Sequence, residues 1–348
     1  MSEAKLETVD KLTLQIVVDN NVEWMNPLPP GFIHEVPQHV LSNPPPDIET
    51  GSNGIVDIHN YCCGAHGLSV LIRTSKDGIN HTTLFDTGPD PRSFVRNYAS
   101  LGLDSISPTI ERIIISHYHG DHTGALPTAV KHLVQVHHKP VIVDLHPDRP
   151  IARAAPFAGQ QNGLFRLPYD PTFEEISGAG GTLEFHAEEH VVADGAVYVS
   201  GEIPRVTEFE IGMPGHMKWV ESKDGSNSKG NWEDDPYIME ERYVAIDVTD
   251  KGIVILSACS HAGIVNVVRH ATERFKKPIY MVLGGMHLGG LLFRSRLQPT
   301  VEYLSKGLNP PPKYVVPLHC SGSDVKFLLH QAFGDGCVNI GSGVKIDI

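Results

Sequence analysis

Hydrophobic positions in this chain come in short β-type runs, and most of those runs stop at a polar or histidine-bearing cluster. KLTLQIVVDN (Lys11–Asn20) alternates apolar and polar positions and is rich in β-branched residues, which predicts a first strand. GLSVLIRT and TTLFDTG, joined by SKDGIN, read as a strand pair around a turn. TIERIIIS has the continuous apolar run of a strand buried on both faces. TGALPTAVKHLVQ reads as a helix with Thr123 near its start, and KPVIVDLHP returns to strand. Further on, GTLEFHA, GAVYVSGEI, RYVAIDVTDKGIVILSACSH, PIYMVLGGMHL and KYVVPLHCSG all begin or end at polar or histidine clusters.

Two stretches break this rhythm. Residues near 20–58 are rich in proline and glycine and have no usable period. They predict a long surface loop or, since long ordered loops are often functional, a lid carrying Trp24, Met25 and Phe32 over a pocket. KWVESKDGSNSKGNWEDDPY (Lys218–Tyr237) predicts an exposed polar insertion. No internal repeat is evident. A strand-rich first half and a strand-rich second half around one cluster predict two stacked sheets flanked by helices. The length of 348 residues suits one large α/β domain spanning residues 1–348.

Composition narrows the function. A formal charge of -13 argues against nucleic acid or an anionic membrane as the main partner. No basic-then-apolar leader and no long apolar span is evident, and the five cysteines show no CxxC spacing. The expectation is a cytoplasmic enzyme with a small-molecule substrate, with a homo-oligomer left open. Twenty histidines raise the prior for metal.

The chemistry concentrates in RIIISHYHGDHTGAL (Arg112–Leu126). Three histidines and one aspartate crowd into six residues directly after a buried strand. On a loop their side chains can converge, and imidazole nitrogen with carboxylate oxygen is a zinc donor set that iron or manganese also accepts. Four ligands on so short a loop exceed what one ion takes while keeping an open position. The expectation is two ions about 3.5–4 Å apart, holding a hydroxide that is nucleophilic at neutral pH.

SHYHGDHTGAL resembles the HxHxDH signature of the metallo-β-lactamase superfamily, and TTLFDTG resembles its preceding strand with Asp86 as the supporting aspartate. HGLSVLI, SGEIPR, ACSHAGIVN, GGMHL and PLHCSG, across roughly residues 66–322, resemble the branch labelled dihydropteridine ribofuranosylaminobenzene phosphate synthase-like. The resemblance implies an αββα sandwich of two mixed sheets with metals at the sheet edge. His117 and His119 would bind the first ion, Asp121 and His122 the second, and His319 would join the second site. Asp121 would be both ligand and orienter of the nucleophile.

The middle of the motif set departs from the superfamily pattern. Glu202 stands where a third histidine might sit, and Cys259 or His261 where the bridging aspartate might sit. His261 is the favoured ligand of the three, and a thiolate at Cys259 is chemically admissible. His287, His66, Arg205 and Trp24 are expected at the substrate. The leading expectation is a binuclear zinc hydrolase opening a small cyclic amide or ester of lactam or lactone type. The alternatives are phosphoester or phosphodiester hydrolysis or pterin-related phosphate synthase-like chemistry, a di-iron redox protein, and a binding protein that keeps the fold without the chemistry.

Overall fold

The computed structural model describes residues 5–35, 47–52, 54, 61–105, 109–156, 163–222 and 230–348. Parts of the two irregular stretches, within 20–58 and 218–237, fall outside the described residues.

An eight-stranded sheet runs in the order Gly181–Phe185, Val141–Leu145, Arg112–Ile114, Ile79–Phe85, Ser69–Lys76, Lys11–Val18, Val344–Asp347, Phe32–His34. A seven-stranded sheet has the order His190–Val192, Val197–Val199, Val244–Val248, Gly252–Ser257, Ile279–Gly285, Tyr314–Leu318, with Thr8–Val9 also pairing Val244–Val248.

Period-two alternation decides what each strand touches. Val254 and Leu256 point into a cluster shared with Leu12, Leu14, Ile16, Val70 and Ile72 of the other sheet. Ile253 and Ile255, one residue out of phase, join a second cluster with Val265 and Val268 of helix Ile264–Phe275 and Leu329 of helix Ser323–Phe333. On the far face of the eight-stranded sheet, Leu84, Ile113 and Val143 pack on Phe94 and Tyr98 of helix Pro91–Ser100 and on Val130 and Leu133 of helix Leu126–His137. The four layers are the expected αββα sandwich. No described helix is long and apolar enough to cross a membrane.

A buried ion network ties the layers together. Asp144, on the strand Val141–Leu145, accepts from Arg242 Nη1 at 2.8 Å, Arg112 Nη1 at 3.0 Å and His190 Nε2 at 2.9 Å. Arg242 lies two residues before the other sheet's strand Val244–Val248, so this network spans the sandwich. Burial opposes ionisation of Asp144, but His190 and Arg242 outweigh it and hold its carboxyl well below the usual range.

Two expectations need correction. Phe32 is not a lid residue: it is buried in the strand Phe32–His34, which pairs with Val344–Asp347, and its ring meets Tyr314 edge-on at 5.1 Å. The polar insertion is not wholly irregular either. Met217–Val220 and Asn231–Asp234 form an antiparallel pair with Trp219 opposite Trp232, and the first of these strands also pairs with Arg153–Pro156. This gives a third, four-stranded sheet completed by Leu164–Arg166.

Strand direction positions the site. Ile79–Phe85 and Arg112–Ile114 run parallel, and so do Gly252–Ser257, Ile279–Gly285 and Tyr314–Leu318. The residues at their exits are Asp86, the histidine loop, the Cys259–His261 segment, His287 and His319.

Candidate metal centre

The histidine loop leaves its strand and makes one helical turn, Gly120–Thr123, before the helix Leu126–His137. The turn closes tightly against the segment around Pro89. A Cβ added at Gly124 would lie 1.9 Å from Pro89 O, so only glycine fits there. Asp86, Ser260, His287 and His319 all take positive φ, at 56°, 59°, 46° and 43°. Such backbone costs about 1–3 kcal/mol per residue and clusters where side chains must be aimed.

Hydrogen bonds assign the tautomers. Asp86 accepts from Ser116 N at 2.8 Å, from Ser116 Oγ at 2.7 Å and from His122 Nδ1 at 2.8 Å. His122 therefore carries its proton on Nδ1 and turns a bare Nε2 inward. The one hydroxyl proton of Ser116 goes to Asp86, so Ser116 Oγ must accept from His117 Nδ1 at 2.8 Å, and His117 Nε2 is bare too. Asn20 Oδ1 takes the Nδ1 proton of His319 at 2.9 Å, and Asp19 Oδ1 takes the backbone N–H of His319 at 2.7 Å. His319 Nε2 likewise faces in.

The inward atoms form two groups. His117 Nε2, His119 Nδ1 and His261 Nε2 lie 3.1, 3.1 and 3.2 Å apart. Three nitrogens bound tetrahedrally at zinc distances would be roughly 3.3 Å apart, so the triangle fits one ion. Without a cation, buried lone pairs so arranged would repel. The second group is Asp121, His122, Cys259 and His319, with donor atoms within 4.8 Å of one another. Here His122 Nε2 is 3.2 Å from His319 Nε2 and 3.1 Å from Cys259 Sγ, and Asp121 Oδ2 is 3.3 Å from His319 Nε2. Cys259 also groups with His117 and His261, so its sulfur stands between the two sets.

Electrostatics suit metal binding. Burial, reinforced by neighbouring imidazoles, pushes His117, His119 and His261 well below the usual histidine range, which keeps them neutral. Burial works against the Asp121 carboxylate, but His122 and His319 outweigh it and hold that carboxyl low. His122 differs: burial favours its neutral form, but Asp121 and Asp86 overcome it and raise the imidazole to about 9, so an ion binding there has to displace a proton from Nε2.

Other expected residues land elsewhere. Glu202 is solvent-exposed and belongs to none of the donor groups among the described residues; its strand Val197–Val199 ends early, where Ser200 N bonds Tyr243 O. The third nitrogen of the first set comes instead from His261, on the same loop that supplies Cys259. Arg205 is spent locally on the carbonyls of Ile203 and Tyr237 and lies over the Tyr237 ring at 5.2 Å. Trp24 is 40% exposed and packs on Tyr61 at 5.7 Å, and among the described residues no ring contact or hydrogen bond joins it to the histidine cluster. His66 does reach the site: its Nε2 is 3.8 Å from Asp121 Oδ2, and its ring lies 4.8 Å from that of His319. His287 lies 4.6 Å from His261, ring to ring, and groups with Cys259 and Cys320.

Several participants are absent from the expected set. Asp19 and Asn20 orient His319. Glu241 receives the backbone N–H groups of His261 and Ala262, both at 2.7 Å, and burial pushes its carboxyl up to about 7. Cys320 faces Cys259 at 3.4 Å between sulfurs. His216 lies 5.7 Å from His119, ring to ring, and is pushed down to about 4 by burial, helped by His287 and Arg153. The available signal was position: Asp19, Asn20 and Cys320 all follow apolar runs.

A model of the metallo-β-lactamase superfamily matches residues 64–207. The chain is 28% identical over 296 residues, covering 80% of this chain and 88% of the other, to a 7,8-dihydropterin-6-methyl-4-(beta-D-ribofuranosyl)-aminobenzene-5'-phosphate synthase of Methanocaldococcus jannaschii. Its fold is similar to that of Tm1679, a metal-dependent hydrolase of the β-lactamase superfamily, with a TM-score of 0.64, 19% identity and coverage of 97% of this chain and 99% of that one. It also matches zinc-bound PqqB from Methylobacterium extorquens, with a TM-score of 0.49, 12% identity and coverage of 97% and 100%.

Proposed function

We propose that this chain, which matches a metallo-β-lactamase superfamily model over residues 64–207 and shares the fold of a metal-dependent hydrolase, is a two-zinc hydrolase opening a small cyclic amide or ester. The observation that carries this reading is the pair of facing donor groups that share Cys259. His117, His119 and His261 would hold one ion; Asp121, His122, Cys259 and His319 would hold the other. When bound, such ions supply a Lewis acid for the carbonyl and lower the pKa of a water molecule.

The chain's own residues do the positioning. Asp86 fixes His122 directly and His117 through Ser116. Asn20 and Asp19 fix His319. Asp121 turns Oδ2 to His122 and His319, and its other oxygen orients the attacking water. Asn20 Nδ2 donates to His66 Nδ1 at 3.1 Å, which leaves the His66 proton on Nε2, toward Asp121 at the mouth of the site.

A carbonyl substrate is favoured because Arg153, which donates to Tyr118 O between His117 and His119, is already neutralised. Arg153 is held by both oxygens of Glu240 at 2.6 and 2.9 Å and by Asp235 at 2.9 Å. A phosphoester would call for free cationic clamps. The second reading, chemistry on a phosphate-bearing pterin conjugate, is favoured by the activity for which the 28% identical relative is named.

The test is turnover followed by mass spectrometry. Zinc-loaded and chelator-stripped protein would meet aryl-fused lactams, lactones and phosphodiesters. Metal-dependent gain of one water on a lactam or lactone supports the proposal. Turnover of phosphodiesters alone replaces it with the second reading.

A further inference from the structure

His216 has no role in either donor group, yet the fold delivers it to the metal centre with care. Its backbone is pinned on both sides: His216 N donates to Met213 O at 3.2 Å, and Asp235 N donates to His216 O at 2.8 Å. Met213 is itself buried in the core, and its N–H reaches Pro236 O at 2.6 Å. The next residue begins the strand Met217–Val220 of the small third sheet. This sheet therefore ends, on the side of the site, in one imidazole set beside His119.

The imidazole is unspent. His216 Nδ1 is buried with no hydrogen-bond partner, and among the described residues neither ring nitrogen bonds to protein. His287, beside His261, has a buried, unpartnered Nδ1 as well. His119 Nε2 and His261 Nδ1 are unpartnered too, but those rings already turn their other nitrogen into the first donor group. Buried polar atoms are nearly always satisfied, so the nitrogens of His216 and His287 call for a partner that is not protein. The cations nearby are committed: Arg153 to Glu240 and Asp235, and Arg296 to Gly212 O at 2.7 Å. What remains at the two imidazoles is unused hydrogen-bonding capacity.

We infer that His216 and His287 form a substrate subsite beside the first donor group, taking an uncharged polar group such as an amide, hydroxyl or ring nitrogen. This rests on the metallohydrolase reading and deepens it. In these terms the insertion following His216 is the frame that sets this histidine.

The test uses zinc-loaded full-length protein and two small probes. Acetohydroxamate can chelate zinc through its two oxygens and still offer its N–H to the subsite; azide can bind zinc but has no N–H. The variants are His216→Phe and His216→Gln, each with its zinc content measured by elemental analysis. The expected result for His216→Phe is acetohydroxamate binding weakened about 10-fold, with azide binding and zinc content unchanged. His216→Gln should recover much of the loss. Unchanged acetohydroxamate binding overturns the inference. Equal weakening of both probes, or loss of zinc, also overturns it by making His216 part of the metal-binding scaffold. If zinc-loaded wild type binds neither probe, the metallohydrolase reading itself fails, a result separable from any effect of His216.

Discussion

Cys259 Sγ stands 3.1 Å from His122 Nε2, and the same sulfur groups with His117 and His261. One atom therefore adjoins both donor sets, where a carboxylate would be the superfamily's usual bridge. Cys259→Ala should lower zinc retention at both sets after dialysis, whereas Cys259→Asp, which restores a bridging donor, should keep more of it. Elemental analysis decides between them. Full zinc retention in Cys259→Ala would reduce the sulfur to a small apolar packing group.

Asn20 holds His319 from two sides, accepting at Oδ1 from His319 Nδ1 and donating from Nδ2 to His319 O at 3.1 Å. Partners of this kind are typically worth 10–100-fold in metal affinity, on the order of the loss expected for Asn20→Ala. The loss should fall on the second ion and spare the first. A competition titration with a chromophoric chelator, reading two binding steps, would show it. Equal weakening of both steps counts against this assignment.

Asp86 is fully buried and accepts three hydrogen bonds. Asp86→Ala strands a backbone N–H, a hydroxyl and an imidazole N–H. The expected cost is about 3 kcal/mol in chemical denaturation, together with reduced metal content. A loss of metal with stability unchanged would mean that the freed donors find other partners.

Asp144 sets a pH dependence of stability. Its carboxyl is depressed in the folded state despite burial, because His190 and Arg242 favour the charged form. The unfolded chain then binds more protons as pH falls, so this contribution is present above the ordinary aspartate pKa and is lost as pH drops toward the folded value. Asp144→Asn should cost about 3 kcal/mol or more at pH 7, by leaving Arg242 buried beside a neutral partner. The gap from wild type should narrow under acid conditions. Urea unfolding across pH measures it, and a gap independent of pH would rule out the charge as its origin.

The ligand loop was legible because its chemistry is local: His117, His119, Asp121 and His122 announce themselves within six residues after an apolar strand. His261 was expected from its place on an extended segment after a strand and His319 from the metallo-β-lactamase resemblance, and both imidazoles lie at the cluster. Glu202 lies away from the donor groups; a linear pattern does not tell which strand exit lies nearest the cluster, and one loop, SACSH, brings both Cys259 and His261 there. Asp19 and Asn20 escaped notice because their partner His319 lies about three hundred residues away. Phe32 hid in a Pro/Gly-rich stretch, since a three-residue strand leaves no period to read and its partner is Val344–Asp347. In the insertion, polar composition masked two tryptophans placed as a cross-strand pair.

The strand Val344–Asp347 lies between Lys11–Val18 and Phe32–His34 in the eight-stranded sheet. It is the last of the described strands to be synthesised, yet it fills a gap between two of the earliest. Until it arrives, Lys11–Val18 has one edge unpaired, and that same strand leads into the Asp19–Asn20 pair that aims His319. A nascent chain would thus carry all seven candidate metal donors before it can align them. Emergence of tight metal binding would mark the closing of the molecule's seam, the event that joins its first and last segments.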